Sequence, residues 1–219
     1  MRIGILGSGL MGAKIGTICA QLGHEVVFSY AHTRAKLERL ARTAGGKARA
    51  GDPDEAARGA DMLLLAVHWS RVDDVLKKAG KLSGKHLITC SLPMSKDDTR
   101  LVIGHSSSGA EAVARKVPRA HVVSAFCTVP SEALFPVFEA RRKIAPPDLI
   151  VCGDHERAKR TTASLIRQMG FHPVDVGDLK SARYVEPFAL TVAAIAYSGS
   201  INGKLAYRFE RFLGRARRR

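Results

Sequence analysis

The sequence predicts an α/β fold, a doubly wound parallel sheet that gives way to a helical C-terminal segment. Three observations predict it. Residues 3–6 (Ile-Gly-Ile-Leu) read as a short buried strand, and Gly7, Gly9 and Gly12 follow at once in the spacing G-x-G-x-x-G. A helix over residues 13–22 stops at Gly23 and hands over to a second strand, His-Glu-Val-Val-Phe-Ser29. Apolar runs then alternate with helical stretches, the pattern of a parallel sheet with right-handed crossovers.

Each glycine of the first turn has a mechanical reason. Gly7 permits the tight turn, Gly9 lets the backbone approach a pyrophosphate, and Gly12 lets the helix pack closely on the strand. Phosphates sit well against free N–H groups at a helix start, where the dipole favours negative charge. The first unit therefore reads as a dinucleotide-binding turn of Rossmann type.

The remaining elements follow in order. Residues 33–44 form a helix with Leu37, Leu40 and Ala41 on one face, ended by Gly45-Gly46, and residues 47–50 form a short third strand. Asp52-Pro-Asp-Glu starts a short helix, with Pro53 at a favoured first-turn position. Residues 60–67 are a continuous apolar run, as in a central parallel strand. A helix over 70–78 precedes a strand over 86–91 that ends at Leu92-Pro93. A helix over 110–116 leads to a strand over 122–126, and residues 130–147 read as irregular or partly helical. Strands over 149–152 and 172–176 flank a helix over 154–169. A long helical region over 179–213, interrupted near Gly199 and Gly203, closes the chain. This divides it into a nucleotide-binding domain, 1–178, and C-terminal helices with a basic tail, 179–219.

In such a sheet the ligand lies outside the carboxyl ends of the strands. The strand ends then nominate the cofactor-binding residues: Gly7, Ser8, Gly9, Leu10, Met11 and Gly12; Ser29, His32, Thr33 and Arg34; Val67, His68 and Trp69; Ser91, Leu92 and Pro93; Ala125 and Phe126. The second strand end discriminates between cofactors. An NAD site usually places an acid there, about twenty residues after the glycines. Ser29-Tyr-Ala-His-Thr-Arg34 has no acid, and Ser29, Thr33 and Arg34 are able to hydrogen-bond a 2′-phosphate. The cofactor expected is NADP(H). His24, His86 and His172 precede strands and read as structural. His68 reads as a cap or as packing against the cofactor more than as a general acid, and no Ser-His-Asp set, metal-ligand cluster or motif lysine is present, so the chain shows no hydrolytic machinery.

Composition narrows the partners. The chain has 219 residues, 46% of them hydrophobic, and thirty-five basic against twenty acidic side chains give a net charge of +15. Six arginines and one acid lie between Arg208 and the C-terminus, and the remaining charge is scattered without a motif that reads DNA or the aromatic interleaving of a single-strand platform. A small-molecule partner and no nucleic acid is the expectation, with the general field favouring anions. No apolar run approaches the ~20 residues of a bilayer span, and no leader precedes the first strand. No membrane contact, a cytoplasmic location and possible homodimerisation are expected. Cys19, Cys90, Cys127 and Cys152 form no C-x-x-C pair and read as buried thiols.

With these residues in hand, the chain resembles the NADPH-dependent deazaflavin reductases, the coenzyme F-420:NADP oxidoreductases. Their reductase module also occurs in the cytosolic part of membrane metalloreductases. The resemblance rests on residues 3–12, Gly23-His-Glu-Val-Val, Val123-Ser-Ala-Phe-Cys-Thr-Val-Pro130, Val151-Cys-Gly-Asp154, and Asp175-Val-Gly-Asp-Leu-Lys-Ser-Ala-Arg-Tyr-Val-Glu186. It implies hydride transfer between NADPH and a deazaflavin or flavin coenzyme, with Cys127, Arg183 and Glu186 as acceptor-side candidates. Arg183 would anchor an anionic group of the acceptor, with Glu186 fixing it. The chain departs from the family pattern in its first turn, Gly-Ser-Gly where Gly-Gly-Thr-Gly is more common, at Cys127, where His is frequent, and at Pro187 and Ala189, where Ser and Thr occur. The alternatives are an imine or ketone reductase of the pyrroline-carboxylate or hydroxyacid type, and a noncatalytic NADPH-binding protein.

Overall fold

A computed structural model describes residues 1–211. The chain runs β1 (Arg2–Leu6), α1 (Leu10–Gln21), β2 (Glu25–Ser29), α2 (Arg34–Ala44), β3 (Ala48–Ala50), α3 (Pro53–Arg58), β4 (Met62–Leu65), α4 (Val72–Ala79) and β5 (His86–Thr89). It continues with α5 (Gly109–Lys116), β6 (His121–Ala125), α6 (Ser131–Ala140), β7 (Asp148–Gly153), α7 (Glu156–Gln168), β8 (His172–Asp175) and α8 (Ala182–Ala196). The eight strands form one sheet in the order β3-β2-β1-β4-β5-β6-β7-β8. The expected doubly wound Rossmann sheet is present.

Its strands are apolar on both faces because helices cover both. In β4, Met62 and Leu64 pack with Ile5, Ile15, Phe28 and Leu134, while Leu63 and Leu65 pack on the other face with Val75, Leu76, Leu87 and Val185. Alternate residues of a strand point to opposite sides, so a continuous apolar run is what two-sided burial demands.

The structure differs from the sequence reading in four places. First, β7 runs antiparallel to β6, while all other pairings are parallel. The α6 segment and the link after it bring the chain back at the same end of the sheet instead of crossing over. Second, residues 130–147 contain α6, a ten-residue helix that accommodates Pro136. Third, the helix expected over 70–78 begins as a 3-10 turn, Trp69–Arg71, before α4.

Fourth, the helical region expected over 179–213 is shorter. It opens with a 3-10 turn (Leu179–Ser181), and α8 ends at Ala196. Gly199, Asn202 and Gly203 then adopt left-handed φ angles of 55°, 49° and 74°, which a right-handed helix does not tolerate. The following segment carries no helix and packs through its aromatic rings. Tyr207 lies edge-on to Phe188 of α8, with ring centres 5.4 Å apart, and to Phe209 at the same distance. The Tyr207 phenol donates to Thr128 Oγ1 (2.8 Å), and the Asp148 amide donates to the Tyr207 carbonyl (2.8 Å). Residues 212–219, including most of the arginine-rich stretch and the end of the expected helix, lie outside the described residues. Among the described residues, no helix is long and apolar enough to cross a membrane.

Candidate functional site

The glycine loop behaves as its spacing implies. Gly7 has φ +114°, and a Cβ there would lie 2.4 Å from the Ala66 carbonyl oxygen. A Cβ on Gly12 would fall 1.8 Å from the Gly7 carbonyl oxygen, so helix and strand approach as closely as glycine allows. Gly9 is different: nothing lies within 4 Å of a Cβ built on it. Its backbone is extended, a conformation any residue adopts. The absence of a side chain at Gly9 serves the space outside the fold.

That space meets the start of α1, whose first amides have no side-chain cap. Thr33, Ser108 and His155 cap α2, α5 and α7, and Asp52 with Glu55 forms a capping box on α3, while α4, α6 and α8, like α1, carry no side-chain cap. An uncapped helix N-terminus beside an open Gly9 is the donor set that a pyrophosphate requires. The residues present therefore fit a dinucleotide.

Two expected contacts are corrected. Ser8 is 1% exposed; its hydroxyl donates to the Ser29 carbonyl (2.9 Å) and its amide to the Tyr30 carbonyl (3.2 Å). Ser29 is fully buried and donates its hydroxyl to the Ile5 carbonyl (2.7 Å). Ser8 ties the glycine loop to β2 and Ser29 ties β2 to β1, so both hydroxyls are spent within the fold. His32, Thr33 and Arg34 stand exposed beside them at the β2 end. Arg34 makes a loose ion pair with Glu38, at 3.4 Å, on the surface of α2.

The other strand ends gather at the same edge. Val67 donates its amide to Ser91 Oγ (3.2 Å), joining the ends of β4 and β5. His68 Nδ1 accepts the Ser70 amide (3.2 Å), and its Nε2 lies 3.3 Å from the Ser95 carbonyl and 3.2 Å from Asp98 Oδ1. Both ring nitrogens are engaged, so His68 caps the turn that holds Trp69 and tethers the loop after β5. Pro93 packs against Gly109, where a Cβ would sit 2.8 Å from the proline ring. One cluster is absent from the sequence reading. The Tyr30 phenol donates to Asp74 Oδ2 (2.6 Å), and Lys78 reaches the same oxygen (2.9 Å) while lying 5.3 Å from the Tyr30 ring centre. Burial, reinforced by Asp74, pushes the Tyr30 hydroxyl up to about 12.

Between the glycine loop and α8 lies a cleft of about 250 Å³. Leu10 and Met11 form its nucleotide side, Leu92, Phe126, Cys127 and Thr128 its floor, and Ala189, Val192 and Tyr197 its far wall. Phe126 is fully buried and holds a left-handed φ of 68°, while Ala125 before it is sealed inside β6. Thr128 follows from the same strand-end rule as Phe126, whereas the contributions of Val192 and Tyr197 had no local signal in the sequence. A larger hollow, about 580 Å³, lies at the opposite end of the sheet among His86, His121 and His155, far from the glycine loop.

The acceptor-side candidates separate. Cys127 lines the cleft, but burial, with Glu186 adding, pushes its thiol up to about 12, and the thiol of Cys90 beside it is pushed up likewise. All four cysteines are free. Arg183 does not meet Glu186. Its guanidinium grips Glu111 in a two-pronged pair, Nε to Oε2 at 2.9 Å and Nη2 to Oε1 at 2.7 Å. Glu186 is 3% exposed and accepts the amides of Gly109 (2.8 Å) and Ala110 (2.9 Å), fastening α8 to the start of α5. Burial pushes its carboxyl up to about 7, against the two amides, which hold it down. The expectation that Glu186 orients Arg183 towards an acceptor is overturned, because each has found a partner on α5.

Comparison with known proteins adds likenesses of sequence and fold. Residues 2–93 match the family model described as NADP oxidoreductase coenzyme F420-dependent. Metalloreductase STEAP3 of Rattus norvegicus is 31% identical over 192 residues, which make up 86% of this chain and 36% of that protein. The F420-dependent NADP reductase of Methanocaldococcus jannaschii is 28% identical over 138 residues, 60% of each chain. The chain thus spans between about a third and three fifths of these relatives. A crystal structure from Arthrobacter sp. FB24, provisionally titled an F420-dependent NADP-reductase, superposes with a TM-score of 0.84 at 23% identity, over 96% of this chain and all of that one. The resemblance read from the sequence is borne out, and the relatives carry the names of reductases.

Proposed function

We propose that this protein, whose residues 2–93 match the family model of coenzyme F420-dependent NADP oxidoreductases, is an NADPH-dependent oxidoreductase that passes a hydride between NADP(H) and a deazaflavin or flavin ring. One observation carries the reading. Leu10 and Met11 belong both to the uncapped first turn of α1 and to the apolar cleft, so the phosphate site and the cleft are one continuous surface. Bound there, NADPH supplies the hydride.

The chain's own residues position and shield. The amides at the start of α1 hold the pyrophosphate, and Thr33 with Arg34 meets the 2′-phosphate. Leu92, Phe126 and Val192 keep water from the cleft. Transfer between two stacked rings depends on near-attack placement more than on an acid and a base. The cleft matches that demand, since its thiols are held neutral and Glu186 is turned away into α5.

The imine- or ketone-reducing alternative has less support, since the Tyr197 phenol on the cleft wall already gives its proton to Glu132 Oε2 (2.9 Å). Following NADPH absorbance with deazaflavin, FMN, FAD, cyclic imines and ketones, each offered separately, tests the two readings. Oxidation is expected with a ring coenzyme. Turnover with an imine and with no ring coenzyme overturns the proposal.

A further inference from the structure

Leu10, Met11 and Lys14 share one face of α1, since residues four apart stand one above the other. The two apolar side chains line the cleft, and Lys14 sits half-buried one turn further on. Lys14 Nζ donates to the hydroxyl of Ser131 (3.1 Å), itself a cleft residue, and among the described residues no carboxylate lies within 4 Å of it. The nearest acid in sequence to Ser131 is Glu132, and Glu132 is otherwise engaged. Its Oε2 accepts the Tyr197 phenol at 2.9 Å. Gly203 closes over the same carboxylate, where a Cβ would lie 2.8 Å from Oε2. Among the described residues this half-buried ammonium has one hydrogen-bond partner, a neutral hydroxyl, and the Glu132 carboxylate acts on it through space without pairing with it.

The size of the cleft says where a pairing anion comes from. At about 250 Å³ it falls below the ~300–1,000 Å³ of pockets that enclose a drug-sized ligand whole. It takes a flat ring and leaves an ionised side chain outside, at the rim where Lys14 stands. We propose that Lys14 recognises an anionic group, a phosphate or carboxylate, on the side chain of the ring that accepts the hydride, and that Tyr197 positions Glu132 away from Lys14 so that the ammonium stays available. This rests on reading the cleft as a ring-acceptor site.

The test compares ring compounds with and without the anionic group: FMN against riboflavin, and a deazaflavin carrying its anionic tail against the same ring without it. Binding to the NADP⁺-saturated protein is read from ring fluorescence, and NADP⁺ binding from Trp69 fluorescence. The anionic member of at least one pair is expected to bind tenfold tighter or more. That preference is expected to fall with added salt, as attraction is screened over ~10 Å. Lys14→Ala abolishes it, Lys14→Arg retains most of it, and both bind NADP⁺ as the parent does. Tyr197→Phe weakens the anionic member alone, and adding Glu132→Gln restores it. Should Lys14→Ala fail to fold by thermal melting, Lys14→Gln takes its place. Equal affinity within both pairs, or no binding of any ring, overturns the proposal, as does a matching loss of NADP⁺ affinity in Lys14→Ala, which would make Lys14 a cofactor-phosphate ligand. A Lys14-dependent preference without NADPH oxidation leaves this inference standing and removes the reductase reading alone.

Discussion

Around the glycine loop the backbone leaves amides free and keeps Gly9 open, whereas on the α8 side the strongest polar groups are already engaged within the chain. Arg183 is held by Glu111, Glu186 by two amides of α5, and Tyr207 by Thr128. The nucleotide wall is thus prepared to receive charge, and the acceptor wall presents mainly shape. A wall of the second kind suits a partner ring that carries its own chemistry, and it leaves discrimination to the few polar groups at the rim.

Two substitutions in one loop break the comparison most strongly. Gly12→Val forces a side chain onto the Gly7 carbonyl and is expected to cost ~3 kcal/mol of stability or more, visible as a lowered denaturation midpoint. Gly9→Val meets no protein atom, so its melting temperature stays near the parent's while NADPH affinity falls on the order of a hundredfold, ~3 kcal/mol. Normal NADPH affinity in Gly9→Val would remove the dinucleotide site from this loop.

The acceptor wall is probed next, through pH. The Glu186 carboxyl is raised from its ordinary 4.5 to about 7, so the folded chain holds that proton more tightly than the unfolded one. Its contribution is complete below the unfolded value and is lost as pH rises through 7. His86 runs the other way, lowered from 6.5 to about 4 by burial and its histidine neighbours. Its contribution is present above 6.5 and is lost as pH falls towards 4. Subtracting the profile of Glu186→Gln isolates the first effect. Relative to that variant, the parent should lose up to about 3 kcal/mol between roughly pH 5 and 8, measured by urea unfolding. Parallel profiles would show that the two amides of α5 cancel the effect of burial.

The smallest effects separate two arginines. Arg34→Ala is expected to weaken NADPH by on the order of 1.5–3 kcal/mol and to leave NADH unchanged, measured by titration of each cofactor. Equal losses for both would confine Arg34 to its pair with Glu38. Arg183→Ala is expected to lower the melting temperature slightly through the lost Glu111 pair and to leave the KM for the acceptor alone. A raised KM would return Arg183 to the acceptor side.

What the sequence made legible follows from how local each interaction is. The roles of Gly7, Gly9 and Gly12 are set within one strand, one turn and one helix, and the spacing alone announces them. The strand ends follow from the alternation of elements, which is why Leu10, Leu92 and Phe126 were reachable without coordinates. Arg183 and Glu111 are seventy-two positions apart, and Glu186 and Gly109 seventy-seven, so nothing local joins them. Proximity in sequence favoured a pairing of Arg183 with Glu186, and α5 took both. The direction of β7 was equally hidden, because an apolar strand reads the same in either orientation. Beyond α8, a helical pattern continued past glycines that the fold uses to turn the chain.

That turned segment has a consequence for the order of events. The stretch around Tyr207 meets α8 through its edge-on contact with Phe188, and its phenol and carbonyl pair with Thr128 and Asp148, while β1, β4 and β5 lie inside the continuous sheet. Segments with few buried bonds open at lower free energy than sheet cores, so this stretch is expected to exchange its amides with deuterium before α8, which Glu186 and Arg183 tie to α5. Opening there uncovers the acceptor side and leaves the nucleotide side intact. On the proposed reading, the dinucleotide binds a finished surface and the second ring arrives and leaves past this stretch.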